Sequence, residues 1–387
     1  MPRLSHDPAS RRAGTRTRLA CALFACLLLG TACTPSSPVP RDETPAPPNA
    51  QVLRDEIDTV FDAVWGEESI RAIIVQQHGE PVFTQYWEST PDDAWDVRGV
   101  ARAVTSTLVG IAIDRGLIPG VDATLRELLP TRVAQLPRAV GAVDLKSVLT
   151  NTAGFAQSIG ERRLRSAPDW IGAVLVDRAA RGPADGSFLS SEAGAHLLAA
   201  VLAEATGTSP LRFAQEVLFD PLGIPCAPLW EERLSPADDP GAVLAAFDAA
   251  GVAWLADPQG VNLGYSHLRL RPTDLVRLGQ LFLDEGAWDG EQVVSPTWAV
   301  EATSPLVITR AYGETGYGYQ WWIDREHGVF FAQGEGGTAL VVHPAKDAVA
   351  VIASEVAADD DYPTRGLASS TAVGLAVALL ADLPAGH

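Results

Sequence analysis

The sequence predicts an α+β fold: one antiparallel sheet built from both ends of the folded chain, flanked by helices, with a mostly helical second region between them. Three observations predict it. Apolar runs separated by turn residues lie at 71–87 and again at 317–354, which is the pattern of strands. In the middle of the chain apolar residues recur at helical spacing, with Val104, Leu108, Ile111 and Ala112 at i, i+4, i+7 and i+8. No internal repeat divides the chain after Asn49, and 387 residues with 47% hydrophobic and 20% charged side chains can bury a sizeable core.

In chain order, Arg71–Gln77 and Pro81–Trp87 form a hairpin turning at His78-Gly79. Helices follow, among them the segment around Val104–Ala112, then Leu197–Ala205 and Leu275–Phe282, each apolar on one face. Tyr317–Ile323, Val329–Gln333, Thr338–His343 and Ala348–Ser354, punctuated by glycines and Pro344, suit an antiparallel meander, and a last helix covers about Gly366–Leu383. Residues 51–383 thus divide into a sheet region, about 51–130 and 310–383, and a helical region, about 131–309. A ligand is expected in the cleft between the two regions.

The first segment reads as a targeting signal. Five arginines and one acid precede an apolar run, Leu19–Leu29, and the small residues Gly30-Thr31-Ala32 lead to Cys33. That order marks residues 1–32 as a signal peptide, and the run is too short to span a bilayer. Cysteine at the cleavage point makes Cys33 the expected lipidation site of a bacterial lipoprotein, although Gly30 stands where an aliphatic residue is usual; plain cleavage after Ala32 is the alternative. Residues 33–50, with prolines at 35, 38, 40, 45, 47 and 48, form an extended tether at about 3.1 Å per residue. The expected location is the exported face of the bacterial membrane, toward the periplasm or the exterior.

Formal net charge is −19, with 29 basic and 48 acidic residues. Such a chain does not track a phosphate backbone, so no nucleic-acid partner is expected. Residues 1–32 hold two of the four cysteines, leaving Cys33 and Cys226 beyond the cleavage point. Cys226 reads as a small buried hydrophobe. No His-x-x-x-His or Cys-x-x-Cys spacing is present, and Gly334-Glu335-Gly336-Gly337 lies between two strands rather than opening a helix, so neither a metal nor any other cofactor is expected.

Several blocks, in one order, carry a family resemblance: Ala103–Pro130 (AVTSTLVGIAIDRGLIPGVDATLRELLP), Asp144–Phe155 (DLKSVLTNTAGF), Gly194–Gly207 (GAHLLAAVLAEATG), Phe213–Ile224 (FAQEVLFDPLGI), Arg271–Trp288 (RPTDLVRLGQLFLDEGAW) and Tyr317–Trp322. The chain resembles the class C β-lactamases and their relatives, the D-alanyl-D-alanine carboxypeptidases, penicillin-binding-protein-like serine esterases and amide-dimer hydrolases. The resemblance implies a β-lactamase/transpeptidase-like fold and three catalytic motifs.

None of the three motifs keeps its chemistry. The Ser-x-x-Lys slot, in which lysine takes the proton of a nucleophilic serine, reads Gly99-Val100-Ala101-Arg102. Glycine offers no nucleophile, and arginine stays protonated up to a pKa of about 12 or more. The chain has two lysines, Lys146 and Lys346, preceded at three residues by Val143 and His343, so no Ser-x-x-Lys exists anywhere. The Tyr-x-Asn slot reads Ser190-Ser191-Glu192. The Lys-Thr-Gly slot reads Glu335-Gly336-Gly337, with only Gly337 retained.

Two readings of function follow. The leading one is an exported, lipid-anchored β-lactamase-related protein without catalysis, binding a small-molecule or envelope ligand in its cleft. The alternative is a serine hydrolase with substitute groups: Ser106, one helical turn after Arg102, or Ser266-His267 with Asp257 upstream. Neighbouring residues are expected to point apart, which counts against the second pair, and His78 and His196 fall in a hairpin turn and a helix. If Arg102, Glu192 and Glu335 share the cleft, the expectation is an internal ion-pair network on the arginine fork, or else a cleft left net negative and unsuited to a carboxylate ligand.

Overall fold

The computed structural model describes residues 69–158, 167–182, 184–230, 232–234, 240–309, 315–355 and 367–385. The signal peptide, Cys33 and the tether lie outside the described residues. The described residues belong to one compact unit, Ala46–His387.

Strands β1 (Ile70–Gln77) and β2 (Glu80–Tyr86) form the expected hairpin, with Gly79 in the left-handed region at φ 75°. Strands β3 (Trp95–Asp96), β4 (Ala253–Trp254) and β5 (Leu268–Leu270) make a small separate sheet, and β6 (Ala287–Trp288) pairs with β7 (Glu291–Gln292). The remaining strands are β8 (Val307–Ile308), β9 (Gly316–Tyr317), β10 (Trp322–Asp324), β11 (Val329–Gly334), β12 (Thr338–His343) and β13 (Ala348–Ser354). The main sheet has eight antiparallel strands in the order β2-β1-β13-β12-β11-β10-β9-β8. β1 pairs with β13, Ile73 opposite Ile352 and Val75 opposite Ala350, so the two chain ends do close one sheet.

Period-two alternation sends Ile73, Val75, Val341 and Ile352 to one face and Ile74, Leu340, Val349 and Val351 to the other. Both faces are covered. Helix α5 (Ser369–Ala381) packs Leu375, Leu379 and Leu380 on the first. The second is covered by α4 (Pro272–Leu283) and by α1 (Ala101–Asp114), behind which lie α2 (Trp170–Ala180) and α3 (Glu192–Thr206). Full burial of each such aliphatic side chain contributes about 1.5–3 kcal/mol.

Local chemistry sets the helix ends. Ser191 Oγ accepts the Gly194 amide at 2.8 Å to cap α3, and Gly207, at φ 66°, ends it. The expected apolar face of α1 is there, but the helix is buried nearly all round: Thr105, Ser106 and Thr107 are as inaccessible as Val104 and Leu108. It runs through the middle of the molecule. Thr107 returns its hydroxyl to the Ala103 carbonyl at 2.8 Å, which makes a hydroxyl side chain tolerable there.

One expected strand is not continuous. Tyr317–Ile323 is split into β9 and β10 by a turn in which Gln320 takes φ 65° and the Gly318 amide bonds the Trp321 carbonyl at 2.9 Å. Gln320 Nε2 in turn donates to the Leu149 carbonyl at 2.8 Å, tying the turn to the helical region. Cys226 is buried as expected, and that burial pushes its thiol up to about 11, which leaves it unreactive near neutrality.

Candidate functional site

A cavity of about 1010 Å³ opens between strands β9–β11, the start of α1, and the helical region. Gly99, Arg102, Ser190, Glu192 and Glu335 all line it, drawn from three separate stretches of chain. Gly337 does not line it. It sits at φ 96° in the turn after β11, where a Cβ would fall 2.6 Å from that of Leu367, so its role is in the backbone.

The start of α1 is built by a tight turn. Arg98 takes φ 47°, its amide donates to Asp96 Oδ1 at 2.9 Å, and its guanidinium pairs with Asp96 Oδ2 at 3.2 Å. Gly99 then lies against the end of β11. A Cβ on Gly99 would run into the Gln333 carbonyl oxygen, with the Gly334 Cα 3.5 Å away. Gly334 answers in kind: its own Cβ would lie 2.5 Å from the Val97 carbonyl oxygen and 2.8 Å from Arg98 Cβ. Two glycines therefore allow backbone to pack on backbone at the position where the resemblance expects a nucleophile.

Arg102, three residues on, is half-buried and points across the cleft. Its Nη1 donates to Ser190 Oγ at 2.8 Å. Tyr317 faces the same cavity from β9, and burial pushes its phenol up to about 12, against the pull of the Arg102 guanidinium, while its hydroxyl donates to Gln320 Oε1 at 3.4 Å. The phenol is thus neutral at physiological pH and unavailable as a base. The expected ion-pair network is absent: among the described residues no carboxylate oxygen lies within 4.0 Å of the Arg102 guanidinium. Ser190 is short enough to leave room for the arginine fork, which bonds the hydroxyl instead. Glu192 is engaged elsewhere, and Glu335 is exposed on the turn after β11.

Ser106 is fully buried in α1 and outside the cavity. Ser266 and His267 both line the cavity, and contrary to expectation these neighbours do meet, Oγ to Nδ1 at 2.6 Å. The left-handed φ of 53° at His267 turns its ring back toward the serine. Asp257 is committed to a different histidine. Its Oδ2 is 3.2 Å from His196 Nε2, both side chains are buried, and Oδ1 accepts the amides of Gln259 and Val261 at 2.8 and 2.9 Å. His78 meets Asp347 at 2.8 Å on the exposed hairpin turn, away from the cavity.

Tyr265, Tyr317, Trp322 and Gln157 are cavity residues that the sequence did not single out. For Tyr317 a signal existed, an aromatic at the start of the Tyr317–Trp322 block, but its partner Arg102 is remote in sequence.

A family model for the beta-lactamases matches residues 58–370. The chain belongs to the beta-lactamase family. Among curated relatives, the 6-aminohexanoate-dimer hydrolase of Paenarthrobacter ureafaciens is 24% identical over 341 residues, 81% of this chain and 80% of that protein. Among solved structures, a class C beta-lactamase from Rhodobacter sphaeroides superposes with a TM-score of 0.61 at 16% identity, over 86% of this chain and 99% of that one. A penicillin-binding protein homologue from Caulobacter crescentus gives 0.61 at 15% identity, over 85% and 96%. At these identities the structures bear on fold alone, and the α+β β-lactamase/penicillin-binding-protein-like architecture is shared. Among the described residues of this family member, no group of three or more His, Cys, Asp or Glu side chains is placed to hold a metal ion, and no helix is long and apolar enough to cross a membrane.

Proposed function

We propose that this beta-lactamase-family protein has given up the family's acylation chemistry and uses its cleft to bind a ligand at the bacterial cell envelope. The observation that carries the reading is the closure of the Gly99 position by the Gln333 carbonyl, together with an arginine at the place of the base. A hydroxyl cannot be presented where no Cβ fits, and a guanidinium cannot accept its proton. Export and lipid attachment at Cys33 are part of the proposal and rest on the order of charged, apolar and small residues before that cysteine.

The test uses the full chain expressed in a bacterial host. The protein is expected in the membrane fraction, released by Cys33→Ser, and extracts should form no covalent adduct with a fluorescent penicillin. A labelled band of the right mass, or a Cys33→Ser protein still bound to membranes, would contradict the corresponding half.

The second reading, hydrolysis by substitute groups, is favoured by one observation, the 2.6 Å contact between Ser266 and His267 in the cavity wall. It lacks the acid the sequence offered for it, because Asp257 holds His196 and a backbone turn. An adduct mapped to Ser266 would favour this reading over the first.

A further inference from the structure

Arg102 is a half-buried cation at the cavity wall with no carboxylate partner among the described residues. Charges withdrawn from water are ordinarily paired, because the desolvation cost is otherwise uncompensated. Its contact with Ser190 leaves a second donor beside it. Ser190 Oγ accepts from the guanidinium at 2.8 Å, so the serine's own hydrogen is directed elsewhere, and Ser190 also lines the cavity. Helix α1, 14 residues long, begins at this point with no acidic residue in its first turn and no side-chain cap, so its positive end reinforces the guanidinium. Two converging donors and a guanidinium with no carboxylate in contact are therefore presented to one side of the cavity, while Tyr265 and Trp322 supply aromatic surface elsewhere on its wall.

We propose that the cleft binds a monocarboxylate with an apolar or aromatic body, the carboxylate accepting from Arg102 and Ser190 and the body lying on Tyr265 and Trp322. The inference rests on the reading of this cleft as a binding site. A planar carboxylate fits a guanidinium fork. A dianion such as a phosphate monoester is disfavoured, because Glu192 and Glu335 line the same cavity and, of its two arginines, Arg98 is already paired with Asp96.

Titration calorimetry on the mature domain with N-acetylphenylalanine, N-acetylleucine and hexanoate, each against its primary amide, and with phenyl phosphate, tests the proposal. The acids are expected to bind about tenfold or more tighter than their amides, as charge-assisted hydrogen bonds require. Arg102→Gln should abolish that preference. Ser190→Ala, which leaves the arginine in place and guards against misfolding of the first variant, should weaken the acids about threefold to tenfold with little effect on the amides. Equal affinity for acid and amide, no binding of any probe, tighter binding of phenyl phosphate, or a preference that survives Arg102→Gln would each overturn it. Failure of the binding reading would show differently, as turnover of ester substrates by the same preparation.

Discussion

Gly99→Ser is expected to leave ester hydrolysis at background and to destabilise the fold. The new Cβ meets the Gln333 carbonyl oxygen, a backbone atom that cannot rotate away, and the Gly334 side of the contact is equally tight. Overpacking of this kind costs about 1–3 kcal/mol, visible as a lower thermal midpoint. Even a protein that yields enough to admit the serine lacks a proton acceptor, since Arg102 remains charged and Ser190 has no phenol's reach. General-base assistance is typically worth about 10²–10⁴-fold in rate, so the single revertant stays inert. Activity is expected only when Arg102→Lys and Ser190→Tyr are added, and then only if the β11 end moves back to make room. Hydrolysis of a nitrophenyl ester by Gly99→Ser well above the parent would mean that another base already serves that position.

Asp257→Ala, behind the lining residue His196, should produce the largest loss of stability of any polar substitution around the cavity. The carboxylate is fully buried and satisfies three groups at once: His196 Nε2 and the amides of Gln259 and Val261. His196, held edge-on to Trp170 and Tyr265 at 6.1 Å from each ring, has no other place to turn. Removing the carboxylate leaves these buried donors without an acceptor, at about 1–3 kcal/mol for each group left unpaired. Asp257→Asn retains an acceptor oxygen and should cost about 1–3 kcal/mol. Urea unfolding of the two variants separates them. A loss below 1 kcal/mol for Asp257→Ala, within the scatter of surface substitutions, would show that this pair does not hold the wall.

The strands at the two chain ends could be read from sequence because period-two burial is local. Ile73 and Ile352 each announce a buried position on their own strand, and their pairing follows from closing one sheet. The split of Tyr317–Ile323 could not, because it depends on Gln320 bonding a carbonyl of the helical region more than a hundred residues away. The same holds within the site. The replacement of nucleophile, base and phenol by Gly99, Arg102 and Ser190 is legible residue by residue once the family blocks give the register. What the replacements do together is not. The arginine was expected to seek Glu192 or Glu335, yet it bonds Ser190, since only the folded backbone fixes which side chains its fork can reach. The contact between Ser266 and His267 was masked by the expectation that neighbours diverge, which a left-handed φ at His267 reverses. The closure of Gly99 by Gln333 likewise joins residues from opposite ends of the domain.

The central claim is that the cleft holds no acylating nucleophile. Intact-mass spectrometry of the mature domain after treatment with excess serine-reactive fluorophosphonate tests it most directly. The account predicts an unchanged mass, with Ser190 and Ser266 both unmodified on peptide mapping. A stoichiometric gain of one phosphonyl group, blocked by prior denaturation and mapped to a serine of this cavity, would contradict it.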